Sequence, residues 1–415
     1  MYKDFIKLTI PNILTNLTVP LVSIVDVMLM GHMDDAKYII AIGLSVAIFN
    51  MLYWAFGFLR MGTTGQVAQA YGKGSDVAIQ HVLVKGVSIA TLLGVIFILF
   101  QSPLLSMANG VLDVSATSFN LIDSYFSIRI YTAPASIVLF VINGWLLGIQ
   151  RPRLALIIAV LINVVNILVS VVLVQSFGLG IKGVAIGTLI AQYAGLSLGV
   201  FFIYKKYGMT WISYFRTGLP RDSGWKEFVQ VNGDLFIRTL CLLFTMTFFK
   251  VNAAELEQSL GAGNLLLLEF ISLSAYGIDG LAFAAESISG KDFGRGRLDL
   301  VKKSIKVAFQ IGLLIGLVGS VVFFVFGRSI LELLTNQQDV IQAAISYLPW
   351  VIVAPIIHSV AFIWDGIYIG CISENDTHCF EGIKQLKDYL FSLETFFVRE
   401  KTNWLDILEA FALNN

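Results

Sequence analysis

Ten blocks of about 20 apolar residues constrain this chain more than any other feature. They lie near residues 8–30, 39–59, 86–104, 128–149, 154–174, 183–204, 235–254, 263–285, 305–326 and 347–369. A helix needs about 20 such residues to cross a hydrocarbon core of roughly 30 Å. A core helix of a soluble protein is shorter and shows a polar face. Charged residues make up 13% of the chain, about half the usual share of a soluble domain, and the mean hydropathy is +0.79. The pattern predicts an all-α polytopic membrane protein with about ten transmembrane helices. The first block has no small-residue cleavage site and is followed by further blocks, so it reads as a span. A formal net charge of zero argues against a nucleic-acid partner. Cys241, Cys371 and Cys379 show neither metal-ligand spacing nor a disulfide framework. The expected surroundings are a lipid bilayer, the expected state a monomer, and no cofactor is expected.

Lys and Arg set the orientation. With a cytoplasmic N-terminus, the inner ends collect Lys3, Lys7, Arg60, Lys85, Arg151, Arg153, Arg238, Lys291 and many others. The outer ends then hold only Lys37, Arg129, Lys182, Lys250 and Arg328. Both termini are therefore expected in the cytoplasm, and the chain in the cell (inner) membrane.

The chain also resembles itself. "YGKG" at 71–74 recurs as "FGRG" at 293–296, and "GWLLG" at 144–148 as "GIYIG" at 366–370, both at an offset of 222. Ala133-Pro134 recurs as Ala354-Pro355, at 221. A shared offset points to a duplication, and the six spans between copies give both halves one orientation, a parallel repeat. The expected domains are a six-helix lobe (1–204), a cytoplasmic linker (205–234), a second lobe of four helices (235–370) and a polar tail (371–415). Copies of spans five and six should begin near 376. Instead 12 of the last 45 residues are charged, and no block there is long enough to span. Leu386, Leu390, Leu393 and Phe397 stand at helical spacing in that tail.

An ionisable residue inside a span is costly in lipid and marks function by default. Asp26 sits in the outer half of span one, six residues after Pro20, which would kink the helix and free a carbonyl. Span five carries Asn163, Asn166 and Ser170 on one face. Topology puts Ser170 and the span-six Thr188 at about the depth of Asp26. The amides and hydroxyls alone serve interhelical hydrogen bonding equally well; with Asp26 beside them they suit a proton or cation. In the second half Tyr276, Asp279 and Glu286 share a face. Asp365 could meet either acid across helices, and two close carboxylates would hold one proton between them. Lys250 and Glu269 suit a structural ion pair. Enzyme signatures are poor, so no enzyme is expected. "GLSLG" at 195–199 lies inside a span rather than on a strand-to-helix turn. "GKGS" at 72–75 lacks phosphate-loop spacing, and the four histidines form no ligand pattern.

Several stretches resemble the multidrug and toxic compound extrusion transporters, and most their DNA-damage-inducible F branch. They are "IVDVMLMGHM" in span one, "NVVNILVS" and "GVAIGTLIAQY" in spans five and six, "YGIDGLAFAAESISG" in span eight and "DGIYIG" closing span ten. The resemblance covers about residues 1–370. It implies two helical lobes around a central cavity, and export of cationic or amphipathic small molecules in exchange for H+ or Na+. By resemblance Asp26 is the coupling acid, with Asn166 and Thr188 at matching positions. Many relatives carry an aspartate where this chain has Ser170, and relatives continue for two further spans beyond "GIYIG". The change at Cys371 looks like a frameshift or gene-end event. The alternative functions are a lipid-linked oligosaccharide flippase of related architecture and a non-functional truncated transporter.

Overall fold

In hydrocarbon the backbone has no water to bond with, so an apolar span satisfies its amides and carbonyls within one helix. The computed structural model describes residues 1–31, 37–111, 116–220, 224–254 and 258–371. Their helices are α1 (Tyr2–Gly31), α2 (Lys37–Trp54), α3 (Gly57–Gly72), α4 (Asp76–Leu99), α5 (Gln101–Val111), α6 (Ala116–Arg129), α7 (Ala133–Gly148), α8 (Pro152–Val171), α9 (Gly180–Tyr207), α10 (Thr210–Thr217), α11 (Trp225–Ala254), α12 (Gln258–Gly294), α13 (Leu298–Leu334) and α14 (Gln338–Cys371). No strand occurs among the described residues. Nine segments there are long and apolar enough to cross a membrane. With the 30-residue α1 they accord with the ten expected. The side chains of Pro20 and Lys250, and everything from residue 372 including the tail pattern at 386–397, lie outside the described residues.

Several spans run longer than their apolar blocks. The block at 128–149 is only the second part of a span covering Ser118–Gly148, in which α6 continues through one 3-10 turn into α7. Its first part carries Asn120, Asp123 and Arg129 among apolar residues, which hid it from a hydropathy reading. This corrects the placement of Arg129 at the outer end of a span. Spans two and five are likewise composite. A turn at Ala55–Phe56 joins α2 to α3, and a π-turn (Val172–Ser176) extends α8. Within 205–234, α9 ends at Tyr207, α10 forms two turns that bury Trp211, and α11 opens at Trp225. Lys85 fastens this connection: its Nζ donates to the Gly224 carbonyl at 2.9 Å and sits 5.6 Å from the Phe228 ring centre.

The sequence repeat is a repeat of packing. A Cβ at Gly144 would collide with the Arg60 carbonyl, and one at Gly148 would press on the Thr64 carbonyl. Each contact recurs 222 positions later, Gly366 on Ala282 and Gly370 on Glu286. Gly94 lies on Pro134 as Gly316 lies on Pro355. Span two against four, and three against four, are thus reproduced as eight against ten and nine against ten. Glycines let the helix backbones touch, which is how membrane helices associate without a hydrophobic driving force.

The same motif joins the halves. Gly72 lies on the carbonyl of Lys291, and Gly294 lies on the carbonyl of Gln69. These are equivalent positions in the two copies, so the contact is reciprocal, as at a two-fold interface. Around it Gln69 Nε2 donates to Gly370 O at 2.9 Å, Ser287 Oγ to Leu147 O at 2.6 Å and Lys291 Nζ to Gln150 Oε1 at 2.8 Å. Asn12 Nδ2 reaches Gly280 O at 3.3 Å and Asn16 Nδ2 reaches Tyr276 O at 3.2 Å. These bonds extend from the helix ends near Met1, Gly72 and Gly294 to about the midpoints of α1 and α12.

Overpacking a tight contact typically costs about 1–3 kcal/mol. Gly294→Leu should therefore loosen this seam. A cysteine at Ala68, which is fully buried against Gly290, is expected to label with a soluble maleimide about tenfold faster in the Gly294→Leu background, the change that ~1.4 kcal/mol produces. Equal labelling rates in two monodisperse proteins would show that the seam does not depend on this approach.

Candidate functional site

Asp26 is 1% exposed, and its Oδ1 is buried without a hydrogen-bond partner. The charge nearest in effect is one that sequence reasoning missed: the Arg129 guanidinium, close enough to act electrostatically on the carboxylate. Arg129 is held by aromatic rings, 5.1 Å from the centre of Phe49 and 5.4 Å from that of Tyr125, and it donates to the Tyr125 hydroxyl. Its Nε is buried and unpartnered. Below it, Thr132 Oγ1 donates to the Arg129 carbonyl at 2.7 Å and pairs with the Tyr53 hydroxyl at 2.6 Å. A lone cation amid apolar residues was the available signal; the Lys and Arg bias counted it among the outer ends instead.

The polar face of α8 is divided. Asn166 Nδ2 donates to Thr188 Oγ1 at 2.9 Å, and that hydroxyl donates to Val184 O at 3.1 Å. Asn166 Oδ1 is left buried and unpartnered. Ser170, fully buried, sits where Gly187 provides room, and its Oγ also lacks a partner. Asn163 turns to α1, donating to the Thr18 carbonyl at 3.0 Å, two residues before Pro20. Among the described residues no hydrogen bond links Asp26 to Asn163, Asn166, Ser170 or Thr188. The first half thus buries a carboxylate oxygen, an amide oxygen and a hydroxyl with spare acceptor capacity. Buried acceptors are normally satisfied, so each of these atoms has room for a further donor or cation.

A second charged group lies between the halves. Arg238 Nη2 and Asp365 Oδ2 are 2.7 Å apart. Arg60 Nη1 is 3.7 Å from Glu286 Oε2, a looser pair, and its guanidinium lies 3.8 Å from the Phe283 ring centre. Glu286 is 1% exposed and its Oε1 has no hydrogen-bond partner. Asp279 lies within electrostatic reach of Arg60, Arg238 and Asp365. Tyr276, on the same face, feels Asp279 and Glu269. The structure therefore brings Asp279, Glu286 and Asp365 into one neighbourhood, with two guanidiniums interposed. Sequence reading had put Arg60 and Arg238 at the membrane edge, so a bare carboxylate pair sharing a proton is replaced by a mixed network. Arg60 belongs to the first half and Glu286 to the second, so this pair spans the seam.

The MatE family model matches residues 11–172 and 237–372, two separate stretches of one chain. DNA damage-inducible protein F of Escherichia coli (strain K12) is 31% identical over 363 residues, covering 88% of this chain and 79% of that protein. Multidrug export protein MepA of Staphylococcus aureus (strain MSSA476) is 20% identical over 370 residues, covering 88% and 81%. Among solved structures, one described as an outward-facing conformation of a multidrug resistance MATE family transporter of the MOP superfamily superposes with a TM-score of 0.80 at 20% identity, covering 89% of this chain and 82% of that one. With these matches, and helices long and apolar enough to cross a bilayer many times, the chain belongs to the MatE family of multidrug and toxic compound efflux transporters.

Proposed function

We propose that this chain is a secondary antiporter that exports cationic or amphipathic small molecules in exchange for H+ or Na+, with Asp26 as the coupling acid. The observation that carries this reading is a buried carboxylate oxygen without a partner, beside a guanidinium that does not cap it. An acid in that setting exchanges a proton or cation more readily than one locked in an ion pair. Its occupancy would bias an inward–outward equilibrium by as much as its affinity differs between the two states. Asn166, Ser170 and Thr188 would support the bound ion from α8 and α9, and Asn163 would brace the Pro20 region of α1.

The pairing of Arg60 and Arg238 with acids favours antiport over the flippase reading. A phosphate-bearing substrate calls for cations turned to the cavity, whereas these two face Glu286 and Asp365. With the N-terminus cytoplasmic, the seam is the cytoplasmic gate, and parting it separates Arg60 from Glu286. Breaking a buried pair is costly, about 3–5 kcal/mol if one partner is simply lost, so water must reach both groups on opening.

Asp26→Asn keeps the shape and removes the charge. In proteoliposomes, ion-driven efflux of a cationic dye should fall to background while the protein remains monodisperse. Unchanged efflux at equal protein would remove Asp26 from the mechanism.

Arg129→Gln should also impair transport, because the guanidinium is the charge acting on Asp26. If the two work as a unit, their effects are not additive. The double variant Asp26→Asn/Arg129→Gln is expected to be no less thermally stable than Arg129→Gln alone. Additive losses in Tm would show that they are independent.

Orientation is checked by reporter fusions. Fusions at residues 34, 113 and 222 should report outside, outside and inside, following the Lys and Arg bias. A cytoplasmic signal at 113 would reject this topology.

A further inference from the structure

At the end of the molecule that carries the seam, a cavity of about 450 Å³ opens between the start of α1 and the turn joining α7 to α8. Its lining is Asp4, Lys7, Leu8 and the run from Gln150 to Leu154, which includes Arg151 and Arg153. The single acid is already engaged: Asp4 Oδ2 is 3.1 Å from the Met1 ammonium. Lys7, Arg151 and Arg153 are exposed and make no ion pair among the described residues. Gln150 is held beside them by Lys291, which donates to its Oε1. Gln150 is also the one non-glycine residue with positive φ (59°) among the described residues, a conformation that other contacts must hold in place. Three cations thus line one cavity, with its only acid already paired.

The surface beyond it is apolar. Ile6 (50% exposed) stands next to Lys7; one and two turns beyond Lys7 along α1 are Ile10 (52%) and Leu14 (46%), and beyond Arg153 along α8 are Ile157 (49%) and Val160 (44%). A free anion would use the cationic rim and ignore these residues. A lipid would use both, with its phosphate on the basic residues and its acyl chains along the two helices. Basic pockets between membrane helices suit anionic headgroups for this reason.

We propose that this cavity binds the headgroup of an anionic phospholipid, with Lys7, Arg151 and Arg153 on the phosphate. Neither the ion-coupling site nor the identity of the exported compound enters this assignment.

The test uses the full chain in detergent, titrated with phosphatidylglycerol or phosphatidylcholine while Tm is followed, with inorganic phosphate as a third arm. Phosphatidylglycerol should raise Tm more than phosphatidylcholine, and millimolar inorganic phosphate should neither reproduce nor compete away the effect. In Lys7→Gln/Arg151→Gln/Arg153→Gln the apparent affinity for phosphatidylglycerol should drop by roughly a hundredfold, about fivefold per cation, while Tm in phosphatidylcholine holds. Lys302→Gln/Lys303→Gln/Lys306→Gln removes the same charge from exposed positions on α13 and should keep the preference. The assignment is overturned by equal responses to the two lipids, by equal losses in the two triple variants, or by inorganic phosphate substituting for the lipid. Should the first triple variant unfold, native mass spectrometry of the wild type decides: retained phosphatidylglycerol that phosphate does not displace supports the site, and its absence rejects it.

Discussion

Helix backbones in a bilayer are already satisfied internally, so helices gain little from one another unless they come very close. Here that closeness is achieved at glycines laid on carbonyls: Gly144 on Arg60, Gly148 on Thr64, and their copies Gly366 on Ala282 and Gly370 on Glu286. The rest of the structure follows from these approaches. They place α3 against α7 and α12 against α14. They thereby put Arg60 and Thr64 on one side of the centre, and Glu286 and Asp365 on the other. Dispersion between closely packed atoms, small per pair and large in sum, replaces the hydrophobic driving force that a soluble core would have.

The charged groups are arranged by the same scaffold but obey a different constraint. Ionised side chains are expensive in this setting unless paired. The second half meets the constraint fully with Arg238 on Asp365, and in part with Arg60 near Glu286, whose Oε1 has no hydrogen-bond partner. The first half meets it incompletely: Arg129 is stacked on Phe49 and bonded to Tyr125, while Asp26 keeps an oxygen without a donor. A fully matched pair is a structural element, whereas a partly matched one responds to protons and cations. On the proposed function, Asp26 carries coupling and the Arg60–Glu286 pair carries gating.

Much of this was legible in the sequence. Spans announce themselves by length and hydropathy, because the bilayer punishes anything else. The repeat was legible because the glycines that make the backbone contacts tolerate almost no substitution, so "YGKG" and "FGRG" mark real interfaces. Asp26 stood out as an acid inside a span. Arg129, Arg60 and Arg238 did not, because cations near span ends are ordinarily read as lying at the membrane surface. Only the folded chain shows Phe49, Phe283 and Met61 turning them inward. Helix ends were also misjudged where polar residues such as Asn120 and Asp123 extend a span without looking apolar.

The reciprocal contact of Gly72 with Lys291 and Gly294 with Gln69 has a kinetic side. Where two helices interlock through long side chains, separating them means withdrawing each one through a crowded groove. Two backbones resting on each other at glycine have nothing to withdraw, and they act as a slip plane. On the proposed gating, the barrier to parting is concentrated in two hydrogen bonds and one ion pair, Gln150–Lys291, Gln69–Gly370 and Arg60–Glu286. A surface of that kind releases abruptly once those bonds are broken and re-forms in a single register, because only one alignment brings both glycines onto their carbonyls.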